Sequence, residues 1–215
     1  ENIILENGKK PNYIRNNSKL NKKSQFQILK DLELSFESMK RLQNYSKKKK
    51  IEFLISPFDN ISIDRVIELN LKKIKIPSGE INNFPYLEKI SKFKKKIILS
   101  TGMATMNEVE NALKILTKYR VKKNDITVLH CTTDYPTKPK DVNLRAMTTI
   151  KEKLNVKVGY SDHTRGYNVA IAAVANGAEV IEKHITLDKK MLGPDHSASL
   201  DPNEFTNMVK AIREL

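Results

Sequence analysis

The stretch Lys157–Leu200, KVGYSDHTRGYNVAIAAVANGAEVIEKHITLDKKMLGPDHSASL, decides the fold. With Val156 in front of it, it reads as strand, helix, strand, loop. Val156 to Tyr160 is a short β-prone run. Tyr167 to Ala175 is an apolar, alanine-rich helical stretch that Asn176-Gly177 can stop by supplying a left-handed cap. Val180 to Leu187 is the second strand. Two parallel strands joined by one helix make a βαβ unit, and ligands of such units sit at the carboxyl ends of the strands. The polar residues of this stretch gather at those ends.

Side chains alternate faces along a strand, so Ser161 shares a face with His163, and Glu182 shares one with His184 and Thr186. Two imidazoles and a carboxylate therefore converge. Neutral imidazole ligates divalent transition metals, and a nearby carboxylate can orient a ligand, bind directly or move a proton. The competing reading makes each histidine an ordinary hydrogen-bonded strand-end residue; spacing alone leaves both open.

The same rhythm extends to the N-terminal side. Candidate strands at Ile51–Ile55, Ile74–Ile76, Lys96–Leu99 and Ile126–Leu129 end in Ser56, in Pro77-Ser78-Gly79-Glu80, in Ser100-Thr101-Gly102 and in His130–Pro136. Helical periodicity separates them. Leu29, Leu32, Phe36 and Met39 predict one helix opened by a Ser24–Gln27 capping box, and Val109, Ala112, Leu113 and Leu116 another opened by Thr105 and Glu108. Asp201-Pro202-Asn203-Glu204 starts a last helix, with Phe205, Met208, Val209 and Ile212 on its apolar face. Six strands alternating with helices amount to most of a (β/α)8 barrel, with an open doubly wound sheet as the rival. No GxGxxG or P-loop follows any strand, which removes the common nucleotide-binding motifs. Lys75, Ser56, Ser78, Ser100 and Ser161 together suit an anion such as phosphate. Taken singly, each hydroxyl also serves as a helix cap.

Composition bounds the alternatives. The chain has 215 residues and a formal charge of +14, which raises the question of a polyanionic partner. The runs Lys47–Lys50, Lys94–Lys96 and Lys122-Lys123 each follow a helical pattern. There they complement helix dipoles on the face opposite the strand carboxyl ends. Aromatics are not interleaved with them, so no nucleic-acid partner is expected. The single cysteine, Cys131, excludes an internal disulfide, and no apolar run is long enough for a membrane span. A soluble protein of the reducing cytoplasm is expected. The polar residues 1–23 read as a connecting segment and 24–215 as the barrel domain. The length and the initial glutamate suggest part of a longer protein.

At IPSGE, ILSTGM, LHCTTDYPT, VGYSDHT, IEKH and GPDHSAS, in that order from about Ser24 to the C-terminus, the chain resembles the bacterial sialic acid synthase family. The resemblance implies condensation of phosphoenolpyruvate with N-acetylmannosamine or a related N-acylated sugar, giving a nine-carbon 2-keto acid (N-acetylneuraminate) and phosphate. Legionaminate, pseudaminate and ulosonic phosphate synthases are the alternatives, as is a non-catalytic barrel fragment. It implies a divalent metal, Mn²⁺ or Mg²⁺, on His163 and His184, and active-site roles for Glu80 and Glu182. Lys75, Ser78, Ser100 and Ser161 match positions that hold phosphoenolpyruvate, with Ser56 where some members have threonine. Tyr135 and Asp195 match the sugar site, and Thr133 stands where some members have asparagine. It further implies barrel strands 3 to 8 in this chain, with two N-terminal strands and an antifreeze-like C-terminal domain outside it. The complete protein is expected to be a homodimer, and the 215-residue piece alone inactive.

Overall fold

The computed structural model describes residues 22–193 and 195–215. Residues 1–21 of the expected connecting segment, and Pro194 of the GPDH motif, lie outside the described residues. Helices α1 (Gln25–Leu32), α2 (Phe36–Lys48) and α3 (Asn60–Glu68) come first. Strands and helices then alternate: β1 (Lys73–Ile76), α4 (Phe84–Ser91), β2 (Lys96–Ser100), α5 (Met106–Lys118), β3 (Ile126–Cys131), α6 (Arg145–Leu154), β4 (Lys157–Asp162), α7 (Asn168–Ala175), β5 (Ile181–Lys183) and α8 (Pro202–Arg213).

The five strands form one parallel sheet in the order β1-β2-β3-β4-β5. A doubly wound sheet reverses its order at a switch point; this one never does, so it is wound in one direction as a barrel wall is. The register explains which residues line which side. Ile74, Ile76, Ile97, Leu99, Ile126, Val128, Val158 and Tyr160 all point to one face and are all buried there. Against them pack Leu87 and Ile90 of α4, Val109, Leu113 and Leu116 of α5, and Met147 and Ile150 of α6, spaced three or four apart to form one stripe per helix. Each fully buried Ile or Leu contributes about 1.5–3 kcal/mol of transfer free energy, so this face holds the sheet to its helices. The other face carries Lys75, Ser100, Cys131, Ser161 and Glu182 towards the strand carboxyl ends.

Local signals act as the sequence predicts at most boundaries. Thr105 with Glu108, and Asp201 with Glu204, form reciprocal capping boxes. Gly177, at φ +89°, ends the turn after α7. Basic residues fill the last turns of α2, α5 and α6, with Lys50, Lys94 and Arg120 at positive φ just beyond helix ends. A second, smaller cluster of Ala170, Leu200 and Met208 joins α7 to α8.

Four expectations need correction. The helix predicted from Ser24 through Met39 is two helices: residues 33–35 leave the helical path, and Ser35 accepts from the Ser38 amide to cap α2. Ser24 caps α1, yet Gln27 turns its amide to Asp31 at 2.8 Å instead of closing a box. The predicted strand Ile51–Ile55 is not one, so the described residues hold five strands and not six. It lies beside β1, tied by a 2.6 Å ion pair from Glu52 to Lys73, but joins no ladder. Ile51 stays exposed while Phe53 and Ile55 lean on the core. The last strand is also short. Only Ile181–Lys183 pairs fully, and Ile185 makes a single bridge with Leu200.

Candidate active site

Four strands contribute to one polar cluster. Lys75, near the end of β1, is buried and donates to Ser100 Oγ of β2 at 2.8 Å; its ammonium also lies 3.5 Å from Glu182 Oε2 of β5. Glu182 Oε1 accepts from Ser161 Oγ of β4 at 2.7 Å, and the two residues are Cα partners in the ladder. A cation, two hydroxyls and a carboxylate thus occupy adjacent strand ends on the face away from the helices. Cys131 of β3 closes the row. Burial pushes its thiol up, partly offset by the Gly102 amide that donates to Sγ at 3.1 Å and by the nearby Lys75 charge.

The histidines adjoin this cluster. The Nδ1–H of His163 donates to the Thr132 carbonyl at 2.7 Å, and Nε2 faces Ser161 Oγ at 3.2 Å. Burial lowers the pKa of His163, against the opposing pull of the Thr132 bond, so the ring is neutral at pH 7. Ser161 has one proton, and the shorter bond to Glu182 takes it. The Nε2 lone pair is then left facing an oxygen lone pair, a donor suited to a cation. The His184 ring centroid is 5.7 Å away, and its Nδ1 lies 4.0 Å from Asp195 Oδ2. Tyr135 stacks on His163 at 4.1 Å and meets His184 edge-on at 5.9 Å. Among the described residues, no three His, Cys, Asp or Glu side chains are grouped as a metal site. The two imidazoles are nitrogen donors of the kind that would suit a divalent metal, with water or substrate needed to complete its coordination.

Not every candidate joins the cluster. Ser78 sits against Gly102, where an added Cβ would lie 2.6 Å from the Ser78 Oγ and 3.1 Å from Thr133 Cγ2, so this corner is closed by contact. Glu80 is buried in the turn after β1, its Oε2 accepting from Asn83 Nδ2 at 2.7 Å beside Tyr86 and Asp59. Ser56 lines a different, largely apolar cavity of about 570 Å³ between α1, α2 and α3, with Phe26, Leu29 and Met39.

Sequence reasoning missed three features. Asp162 and Lys183 form an ion pair on the helix-facing side of the sheet, one residue away from each histidine. His196 holds Thr186 Oγ1 at 2.7 Å through Nδ1, and its ring packs so closely on Gly193 that a Cβ there would lie 2.5 Å from Cδ2. His130, at the end of β3, bonds the Val142 carbonyl through Nε2 at 2.8 Å. The strand parity that selects Ser161 and Glu182 for one face assigns Asp162 and Lys183 to the other, which is the signal that could have found the pair.

Among the described residues no helix is long and apolar enough to cross a membrane. The chain is 51% identical over 215 residues to N,N'-diacetyllegionaminic acid synthase of Campylobacter jejuni, covering 100% of this chain and 64% of that protein. It is 43% identical over 216 residues to the Legionella pneumophila enzyme of the same name, covering 60% of it. The chain therefore spans less than two thirds of these relatives. The crystal structure of N-acetylneuraminic acid (sialic acid) synthetase from Leptospira borgpetersenii, in complex with citrate, superposes with a TM-score of 0.83 at 35% identity, over 87% of this chain and 65% of that one. The model of the NeuB family matches residues 1–215, and with these strand-end motifs and this singly wound sheet the chain belongs to the NeuB family of sialic acid synthases.

Proposed function

We propose that the full-length protein condenses phosphoenolpyruvate with an N-acylated amino sugar to form a nine-carbon 2-keto acid and phosphate. The observation that carries this reading is the row Lys75, Ser100, Ser161 and Glu182 with the neutral His163 beside it. Lys75 and the Ser100 hydroxyl offer one charge-assisted donor and one neutral donor to an anionic substrate, while Ser161 gives its one proton to Glu182. His163 and His184 would hold a divalent metal, Mn²⁺ or Mg²⁺, which when bound supplies Lewis acidity at the sugar aldehyde.

The chain's own groups account for the rest. The methylene carbon of phosphoenolpyruvate attacks the aldehyde carbon, whose C=O π bond opens and whose oxygen takes up a proton to become a hydroxyl, and positive charge develops at the phosphate-bearing carbon. Glu182 stabilises that charge and takes a proton from the water that adds there. Its contacts with Lys75 and Ser161 support giving it this role, while Glu80 braces the turn that carries Ser78. The resulting tetrahedral carbon expels phosphate by C–O cleavage and becomes the keto group. Tyr135 and Asp195, beside the two histidines, bound the sugar's side of the site.

For the acceptor, identity to two N,N'-diacetyllegionaminic acid synthases supports a 4-acetamido-6-deoxy relative of N-acetylmannosamine over N-acetylmannosamine itself, the reverse of the first expectation. The test is to supply the full-length protein with Mn²⁺, phosphoenolpyruvate and each sugar in turn. Release of phosphate and keto acid with the diacetamido sugar at higher kcat/KM is expected; release with neither sugar overturns the proposal. Phosphoenolpyruvate carrying ¹⁸O at the bridging position should deliver its label to phosphate.

A further inference from the structure

We propose that Asp162 and Lys183 are positioning residues: a buried clamp on the reverse side of the sheet that fixes the two strand ends presenting His163 and His184. The inference rests on the metal-site reading of those histidines. Asp162 and Lys183 are Cα partners in the final rung between β4 and β5. Their side chains meet at 2.9 Å with exposures of 0% and 1%, on the face opposite the polar cluster. No substrate on the site side can touch them.

The pair grips one residue, Thr164, from both ends. Asp162 Oδ1 accepts from the Thr164 amide at 2.8 Å and from Thr164 Oγ1 at 2.7 Å, while Lys183 Nζ donates to the Thr164 carbonyl at 2.6 Å. Thr164 in turn bridges to Thr137, whose amide donates to the His163 carbonyl at 2.9 Å. His163 is thus held between two anchored neighbours. On the other strand, His184 follows Lys183 directly, and its carbonyl accepts from the Leu200 amide at 2.9 Å. Burial alone would make both charges costly, and the attraction between them is what offsets it. The pair's geometric result is a fixed register between the backbones on either side of the two imidazoles.

Exchanging both members of the pair for apolar residues of similar size avoids leaving one buried charge uncompensated, but it strips the Thr164 amide, hydroxyl and carbonyl of their partners. In the full-length protein, the double variant Asp162→Leu/Lys183→Met should therefore fold with a lowered Tm, and its metal binding is read well below that temperature. Its Mn²⁺ affinity, read as free Mn²⁺ by EPR, should fall about 10–100-fold, the usual effect of disturbing groups that orient metal ligands. In the metal-free protein, long-range ¹H–¹⁵N spectra should show the single Nδ1–H tautomer of His163 giving way to an exchanging mixture. Parental Mn²⁺ affinity together with a parental His163 spectrum in that variant overturns the proposal. If the double variant does not fold, Thr164→Val decides, since it removes one hydroxyl only: smaller shifts in the same two readouts support the clamp, and unchanged readouts overturn it. A parent protein that binds no Mn²⁺, yet whose His163 tautomer still depends on the pair, would overturn the metal reading and leave the clamp standing.

Discussion

Ser161 and Glu182 sit directly opposite each other on adjacent parallel strands, and the hydroxyl of one donates to the carboxylate of the other at 2.7 Å. The remaining oxygen of Glu182 faces Lys75 at 3.5 Å. The carboxylate is thereby oriented from two sides while remaining partly open to solvent. Glu182→Gln keeps the shape and removes the charge. We expect turnover of the full-length protein to fall about 10²–10⁴-fold, the range of a lost general acid or base, with KM for phosphoenolpyruvate unchanged or lower because Lys75 loses a competing anion. Steady-state kinetics check this, and a parental kcat would move the role to Glu80.

His184 supplies the more exposed of the two imidazoles, and among the described residues no backbone carbonyl bonds its ring, in contrast to His163. His184→Ala should abolish both Mn²⁺ binding and turnover with little change in Tm, since its side chain is 39% exposed and contributes little packing. Isothermal titration with Mn²⁺ and an activity assay at saturating metal measure the two effects. Near-normal activity at saturating metal would sink the assignment.

His130 predicts a pH effect on stability that is independent of the site. Burial lowers its pKa, against the bond to the Val142 carbonyl, so protonation is disfavoured in the fold. The unfolded chain takes up a proton near the ordinary value of about 6.5, whereas the folded chain does so only at lower pH. The stability contributed by neutral His130 is therefore complete above about pH 6.5 and is lost as pH falls below it. His130→Gln should lower Tm at pH 8 through lost packing, and the gap to the parent should narrow between pH 7 and pH 5. A gap that widens on acidification would show the sign to be wrong.

Residues that act through period and parity were legible in the sequence. The two-residue alternation set Ser161 with His163 and Glu182 with His184, to which the ladder adds that Ser161 lies opposite Glu182, and the three-to-four spacing of Val109, Leu113 and Leu116 defined α5 because both patterns report burial directly. Pairing was less legible. Ile51–Ile55 has strand composition, but a strand exists only with a ladder partner, and here the Glu52–Lys73 ion pair is what links the segment to β1. Rotamers were not legible at all. Glu80 and Ser56 stand in the motifs or positions expected, yet Glu80 turns to Asn83 and Ser56 lines the α1–α3 cavity. The Asp162–Lys183 pair went unnoticed because charged residues between site residues read as solvated until the helices that cover them are placed.

Gly159 is the position where one added carbon tests the whole arrangement. It lies on the same face as Ser161, two residues earlier in β4, and is the Cα partner of Leu129. A Cβ built there would stand 2.4 Å from the Val180 carbonyl oxygen and 2.6 Å from Leu129 Cδ2. Leu129 can rotate, but the Val180 oxygen is backbone and already accepts from the Tyr160 amide at 2.9 Å. A methyl group therefore has to push β4 and the start of β5 apart, which weakens that bond and shifts the Ser161–Glu182 rung that follows. Overpacking of this kind typically costs about 1–3 kcal/mol, and for a chain of this size each kcal/mol lowers Tm by about 2–4 °C. Gly159→Ala should show that drop in a thermal melt, together with a loss of turnover larger than that of a surface control such as Lys114→Ala. Leu129→Ala in the same background removes the side-chain clash and leaves the backbone one. Because emptying the buried Leu129 site is destabilising by itself, the reference is Leu129→Ala alone: a double variant with the same Tm as that single variant would show that the Val180 carbonyl is not the obstacle, and that the β4–β5 spacing tolerates more than the structure allows.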